Sequence, residues 1–259
     1  MLKSERLSQI QDMLNQYGKV EVNNLCRIFH VTEMTIRRDL NELEKNHRAI
    51  RSHGGAIAPP DNMLSERPYN VRIHSHLREK EAIAAMALPL IPDGSRIFFD
   101  SSTTVYCLAR LITNAQNLVV VTDTLSTALE LNTRTNIHVI CLGGELQKNT
   151  NSCAGMFAEN TLDSMYFDFA FMGLGLHGIS EDGTLSTTST IEFSLKRKVI
   201  ERTKHVVIMV DSSKLGAPSF LQMGHISEIQ TLITDSGIPE SFLETCRKAN
   251  VEVLIAPIN

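Results

Sequence analysis

The feature that most constrains this chain is a series of short apolar runs of strand length, spaced along residues 96–257 and alternating with helical patterns. The runs are Arg96–Asp100 (RIFFD), Leu118–Asp123 (LVVVTD), Ile137–Gly144 (IHVICLGG), Asp168–Gly173 (DFAFMG), His205–Asp211 (HVVIMVD) and Ile229–Asp235 (IQTLITD), with Val251–Pro257 (VEVLIAP) as a seventh. Helical segments lie between many of them. Strands alternating with helices predict an α/β domain with a mainly parallel sheet.

Several of these runs end in a polar residue followed by a small or hydroxylic loop. Asp100 is followed by Ser101, Ser102, Thr103 and Thr104; Thr122 and Asp123 close the second run; Gly143, Gly144 and Glu145 follow the third; Asp211 and Lys214 follow the fifth. Ligands of open α/β sheets bind beyond the carboxyl ends of the strands. A Ser/Thr loop opening a helix offers backbone N–H groups, hydroxyls and the positive end of a dipole, which suit a phosphate. Lys214 would add charge, and the carboxylates can accept from sugar hydroxyls. The expected ligand is a phosphorylated sugar or polyol. The plain alternative for each element is a helix cap or a turn residue. No Walker A loop, Rossmann glycine fingerprint or HExxH helix is present. No metal site and no cofactor are expected.

The N-terminal residues have a different texture. Leu7, Ile10, Leu14 and Tyr17 predict a helix over Lys3–Tyr17, stopped by Gly18, and Leu25, Ile28 and Phe29 predict a short one over Val22–His30. After Thr32, a plausible N-cap, Ile36, Leu40 and Leu43 line one face of a third helix. Met34 and Arg38 point the opposite way, with Thr35 and Arg37 on the flanks. Two helices joined by a tight turn, the second carrying adjacent arginines outside, make a helix-turn-helix, whose second helix enters the DNA major groove. Ala49–Ser52 and Ala56–Ala58, joined through His53-Gly54-Gly55, predict a hairpin directly after it. In that position a hairpin is a wing, bringing Arg48, Arg51 and His53 to the phosphate backbone. The expected DNA contacts are thus Thr32, Met34, Thr35, Arg37, Arg38, Arg48, Arg51 and His53.

The net charge of −4 looks wrong for a DNA-binding protein until it is divided. Residues 1–58 carry nine lysines and arginines against seven acids, so the acidic excess belongs to the rest. Residues 59–75 begin with a Pro-rich polar stretch and read as a linker, giving a winged helix-turn-helix domain at 1–58 and an effector-sensing domain at 76–259. The five cysteines form no CxxC or Cys/His pattern and are expected as buried free thiols. No run approaches the ~18 apolar residues of a membrane span, and no signal-peptide core opens the chain, so a cytoplasmic location is expected.

The spacing of Arg6, Ile10 and Leu14, then Thr32 and the run TIRRDL (Thr35–Leu40), then SHGGA, resembles the N-terminal signature of the DeoR family of bacterial transcriptional regulators. The similarity continues through DSSTT, VVVTD, LGGEL, DFAFMGLGLHGISEDGTL, DSSKLG and LITD, over almost the whole chain. It implies a sensor domain resembling ribose-5-phosphate isomerase and, most often, a repressor answering to a phosphorylated sugar or polyol. At two places the chain departs: Ser102 stands where a glycine or serine is seen, and Asp123 where Thr-Asn-Ser is commoner, which adds a carboxylate. The fold expected is therefore α/β: a small N-terminal winged helix-turn-helix domain plus a larger α/β sensor domain with a mainly parallel sheet. Double-stranded operator DNA is the expected partner. Because one winged helix reads only a short half-site, a homodimer or homotetramer is expected. The competing class is a phosphosugar isomerase in which Asp100, Asp123, Glu145, Asp182, Asp211 and Lys214 would supply acid/base groups.

Overall fold

A computed structural model describes residues 3–17, 19–46, 48–52, 54–57, 69–113, 117–175 and 178–258. His53 and the proline-rich residues 58–68 lie outside these. The chain divides into two compact units, 1–62 and 63–259.

The first unit contains α1 (Lys3–Tyr17), β1 (Lys19–Glu21), α2 (Val22–Phe29), α3 (Glu33–Lys45), β2 (Ile50–Ser52) and β3 (Gly55–Ile57). Ile10, Leu14, Leu25, Ile36, Leu40 and Leu43 form its core, so the apolar stripe read in α3 is the buried one. Thr32 caps α3, its hydroxyl accepting from the Thr35 backbone N–H at 3.4 Å. Asp39 is buried rather than placed for the helix dipole, and receives a two-pronged ion pair from Arg6 of α1 at 2.5 and 3.2 Å. The hairpin gains a third strand the sequence reading did not include: β1 pairs with β3, giving the antiparallel order β1-β3-β2. Gly55 is required at that contact, since a Cβ there would stand 1.9 Å from the Val20 carbonyl oxygen.

The second unit begins with a helical turn, α4 (Tyr69–Arg72), and α5 (Leu77–Ala87). It continues through β4 (Arg96–Phe99), α6 (Thr103–Leu111), β5 (Leu118–Thr122), α7 (Leu125–Leu131), β6 (Ile137–Cys141), β7 (Glu145–Gln147), β8 (Ser152–Ala154) and α8 (Met156–Leu162). Next come β9 (Phe167–Met172), β10 (Ile179–Ser180), β11 (Thr184–Thr187), α9 (Thr190–Glu201), β12 (Thr203–Met209), β13 (Leu215–Gly216), β14 (Leu221–His225), β15 (Thr231–Asp235), α10 (Glu240–Lys248) and β16 (Glu252–Ala256).

The seven apolar runs make one parallel sheet, in the order β16-β15-β12-β9-β4-β5-β6. Period-two alternation divides its side chains between two cores. Ile97, Phe99, Phe171 and Val207 pack with Ile83, Ala84 and Leu108 of α5 and α6. Phe98, Ala170, Met172 and Ile208 pack with Leu162, Leu195, Val199 and Phe242 of α8, α9 and α10. The sheet is thus covered by helices on both faces, as a parallel sheet requires. A second sheet, β13-β10-β11-β14, and a hairpin of β7 and β8 are additions that no apolar run announced. Among the described residues no helix is long and apolar enough to cross a membrane. All five cysteines are free, but Cys141 is exposed, against the expectation of burial, because it closes the edge strand β6.

Candidate functional site

On α3, Met34, Arg37 and Arg38 are exposed on the side away from the core. Arg37 is held by Glu33 one turn earlier, at 2.5 and 2.8 Å. Thr35 shares a 3.0 Å hydroxyl contact with Thr32. Arg48 is exposed after the helix. Arg51 differs from the others: its guanidinium donates to the Gly55 carbonyl across the hairpin at 2.6 Å, and its backbone N–H to Glu44 at 3.0 Å. It stabilises the turn of the wing as well as carrying charge.

In the second unit the strand ends carry a buried polar edge. Asp100, fully buried after β4, accepts from the backbone N–H groups of Ser102 and Gly173 at 3.0 Å each. Its Oδ2 lies 3.1 Å from Nζ of Lys196, which also donates to the Gly173 carbonyl at 2.8 Å. Gly173 must be glycine here, because a Cβ would stand 2.1 Å from the Ser102 hydroxyl oxygen. Ser102 is the N-cap of α6, accepting from the Thr104 N–H at 3.1 Å, while Ser101, Thr103 and Thr104 are buried beside it. Burial pushes the Asp100 carboxyl up, and Lys196 opposes this.

Asp123 lies 3% exposed after β5, with Oδ1 unpartnered by any described protein atom. Burial raises its carboxyl well above the ordinary carboxylate range, and the charges of Asp100 and Glu192 raise it further, against Lys196. The Thr122 hydroxyl is engaged locally, accepting from the Thr124 N–H at 3.2 Å. Glu145 is exposed and, with residues 146–150 on one wall and Thr188–Glu192 on the other, lines a cleft of about 670 Å³. Gly143 and Gly144 lead into that wall.

Asp211 follows β12 and caps the next turn, accepting from both the N–H and the hydroxyl of Ser213. It and Lys214 lie within electrostatic reach of Lys80, a lysine of α5 that is 4% exposed. Lys80 donates to the carbonyls of Ser75, at 2.6 Å, and Arg72. Burial pulls its ammonium down to about 8. Cys107, one turn into α6, is also in its field. Lys80 thus sits on α5, packed against α6, within electrostatic reach of the Lys214 loop. Asp182, by contrast, serves a turn, accepting from the Ser180 hydroxyl at 2.6 Å and the Thr184 N–H at 3.0 Å.

Three residues of this edge escaped the sequence reading: Lys80, Glu192 and Lys196. A signal existed for both lysines. Lys80 shares the stripe of Ile83, Ala84 and Ala87, and Lys196 that of Leu195, Val199 and Ile200. A lysine on an apolar stripe is either misplaced or paired.

Comparison with known proteins agrees with this division. Residues 6–61 match the DeoR-like helix-turn-helix domain, and residues 75–236 the DeoR C terminal sensor domain. The chain is 35% identical over 259 residues to the HTH-type transcriptional regulator YulB of Bacillus subtilis (strain 168), covering 100% of this chain and 99% of that protein. It is 34% identical over 254 residues to the glycerol-3-phosphate regulon repressor of Escherichia coli (strain K12), covering 98% and 99%. It is 34% identical over 255 residues to the HTH-type transcriptional repressor GlcR of Bacillus subtilis (strain 168), covering 98% and 97%. There is also a distant likeness to the crystal structure of ribose 5 phosphate isomerase A from Neisseria gonorrhoeae, at 13% identity and a TM-score of 0.39 over 53% of each chain. With both parts of the chain matched and full-length relatives above 30% identity, this protein belongs to the DeoR family of transcriptional regulators.

Proposed function

We propose that this regulator is a repressor of a carbohydrate-utilisation operon, and that a phosphorylated sugar or polyol controls its grip on operator DNA. The observation that carries the reading is the buried hydroxyl loop Ser101–Thr104 at the capped head of α6, which packs against α5, the helix that carries Lys80 within electrostatic reach of Lys214. Two lysines, a capped helix N-terminus and buried hydroxyls are a phosphate cradle. Asp123 and Glu145 then accept from the ligand's hydroxyls, while Asp100, its oxygens already engaged, holds the Ser102 turn, with Gly143, Gly144, Thr122 and Asp211 shaping the loops around it. The glycerol-3-phosphate regulon repressor among the relatives supports the class of operon.

In the first unit Arg38, Met34 and Thr35 face the bases, while Thr32, Arg37, Arg48, Arg51 and His53 serve the phosphates. The effector acts by binding two arrangements of the protein with different affinity, since nothing else can shift their balance. Turnover has no part in this reading: both oxygens of Asp100 are engaged by N–H donors, leaving it a structural anion rather than a base. The test is operator binding by the full chain, titrated with phosphorylated sugars and polyols found by a melting-shift screen, beside isomerase assays on pentose and hexose phosphates. The reading requires one of these compounds to change operator affinity without being converted. Turnover, or operator binding indifferent to every compound, overturns it.

A further inference from the structure

Large apolar side chains stand exposed around the mouth of the cleft. Leu146 and Ile191 line it, one on each wall. Phe220 flanks the Thr188 end, since the register of β11 with β14 sets Thr187 beside Leu221. Met156 and Phe157 open α8 just beyond Ala154, the hairpin partner of Glu145. The pieces adjoin one another, because α9 packs against both α8 and β8. None of these side chains has a part in the operator contacts or the phosphate cradle. Single exposed apolar residues are ordinary on a protein surface, but a group gathered at one place marks an interaction site.

The size and make-up of the group point to a protein partner. A buried aromatic side chain contributes ~150–250 Å², so Phe157 and Phe220, at 70% and 65% exposure, alone leave roughly 200–340 Å² of apolar surface in water. With Met156, Leu146, Ile191 and the polar walls between them, the surface approaches the ~800 Å² that each partner brings to a standard interface. Phe and Met are enriched at interface centres, where Lys and Glu are sparse.

The charges beside the group fit a second copy. Glu145 and Lys148 are both exposed on the hairpin that carries Leu146. Across a twofold axis, residue i of one copy meets residue j of the other and the reverse. The lysine of one copy can therefore face the glutamate of the other, twice. Reading a second half-site also calls for a second winged unit. We infer that the apolar rim is where a second copy of this chain docks, by a twofold contact of Phe157, Phe220, Met156, Leu146 and Ile191 across the mouth of the cleft. Nothing in this contact depends on the identity of the effector.

The test is sedimentation velocity on the full chain across a concentration series, with Phe157→Glu, Phe220→Glu and, on β16 at the far edge of the main sheet, Ile255→Glu. The natural chain should associate at micromolar concentration. Each phenylalanine variant should melt like the natural chain yet associate about tenfold or more weakly, while Ile255→Glu assembles unchanged. Glu145→Lys and Lys148→Glu should each weaken association, and the double reversal should recover it. Should one phenylalanine variant fail to fold, the other and the charge pair decide. Hydrogen exchange in residues 145–150 and 156–157 should slow as concentration rises. A chain monomeric throughout, folded phenylalanine variants that assemble like the natural chain, or a double reversal that recovers nothing overturns the interface. So does protection of the rim that is equal at every concentration, which would mean that the chain covers it by itself.

Discussion

Lys196 and Asp100 form an ion pair at 3.1 Å with 6% and 0% of their side chains exposed, tying α9 to the end of β4. Removing one partner leaves a buried charge without its counter-ion, which typically costs about 3–5 kcal/mol. Lys196→Met should therefore destabilise the protein by roughly that amount. Adding Asp100→Asn should restore part of the loss, because the orphaned charge is then gone. Urea unfolding of the single and double variants checks this; strict additivity would show that the pair is not coupled.

The pairing seen on α3 separates its arginines. Arg38 is exposed, whereas Arg37 is held by Glu33 and Arg51 by the Gly55 carbonyl. Arg38→Ala should lose ~1–3 kcal/mol of operator affinity and relax sequence preference. Arg51→Ala should weaken binding to all sequences alike and reduce the salt slope. Gel shifts on operator and scrambled duplexes across a salt series distinguish the two; unchanged preference in Arg38→Ala would show that another side chain reads the bases.

If Lys80 holds the effector phosphate, effector binding should be sensitive to alkali. Its folded value of about 8 lies below that of a free lysine, so between the two the folded protein binds fewer protons than the unfolded chain. Stability contributed here rises with pH across that window, while the charge offered to a phosphate is lost above about 8. Effector affinity should thus fall as pH rises through that value. Lys80→Met and Lys214→Ala should keep operator binding but weaken the effector response about tenfold or more, since hydrogen bonds to charged groups contribute ~1.5–3 kcal/mol. Titrations from pH 6.5 to 9 test it; a wild-type response in both variants would place the phosphate elsewhere.

Asp123 has the opposite sign. Its carboxyl is raised, so the folded state holds its proton beyond the pH at which the unfolded chain loses it, and stability declines as pH climbs through that interval. Asp123→Asn carries no such burden. The variant should melt higher than the natural chain at pH 8, by an amount on the order of the 1–3 kcal/mol that an unsatisfied buried group costs, and the difference should shrink toward pH 4. A pH-independent difference would show that Asp123 does not titrate there.

Assembly is open to light scattering. One winged unit reads a short half-site, so a homodimer or homotetramer is expected at micromolar concentration, with or without operator. A monomer under both conditions would rule this out.

What the sequence disclosed and what it hid follow from one physical distinction. Ile36, Leu40 and Leu43 announced the buried face of α3, and runs such as Phe98–Phe99 and Val119–Val121 announced strands, because periodic apolar burial is written locally. The small sheet was hidden because strands as brief as Ile179–Ser180 and Leu215–Gly216 carry no period. Nothing local marks Asp39 as buried; its distant partner Arg6 gives it that role. Lys80 and Lys196 lie on apolar stripes, but their partners are supplied by other residues of the fold and could not be read locally. The polar strand ends were legible as a group; which hydroxyls are taken up locally, Ser102 as the cap of α6 and Thr122 in a turn with Thr124, was not.

The strand order also governs how this protein comes into being. The first unit closes through contacts within its own residues, so a ribosome can release it folded while the rest is still being made. The sheet has no such convenience. β4 lies between β5, its successor, and β9, so Ile97 and Phe99 await Phe169 and Phe171 from much later in the chain. Long-range parallel pairing is slow and leaves apolar edges uncovered meanwhile. A nascent chain of this regulator thus holds a finished helix-turn-helix unit ahead of an unfinished sheet, whose apolar strand β4, paired with β5, stays unpaired on its other side until β9 is made.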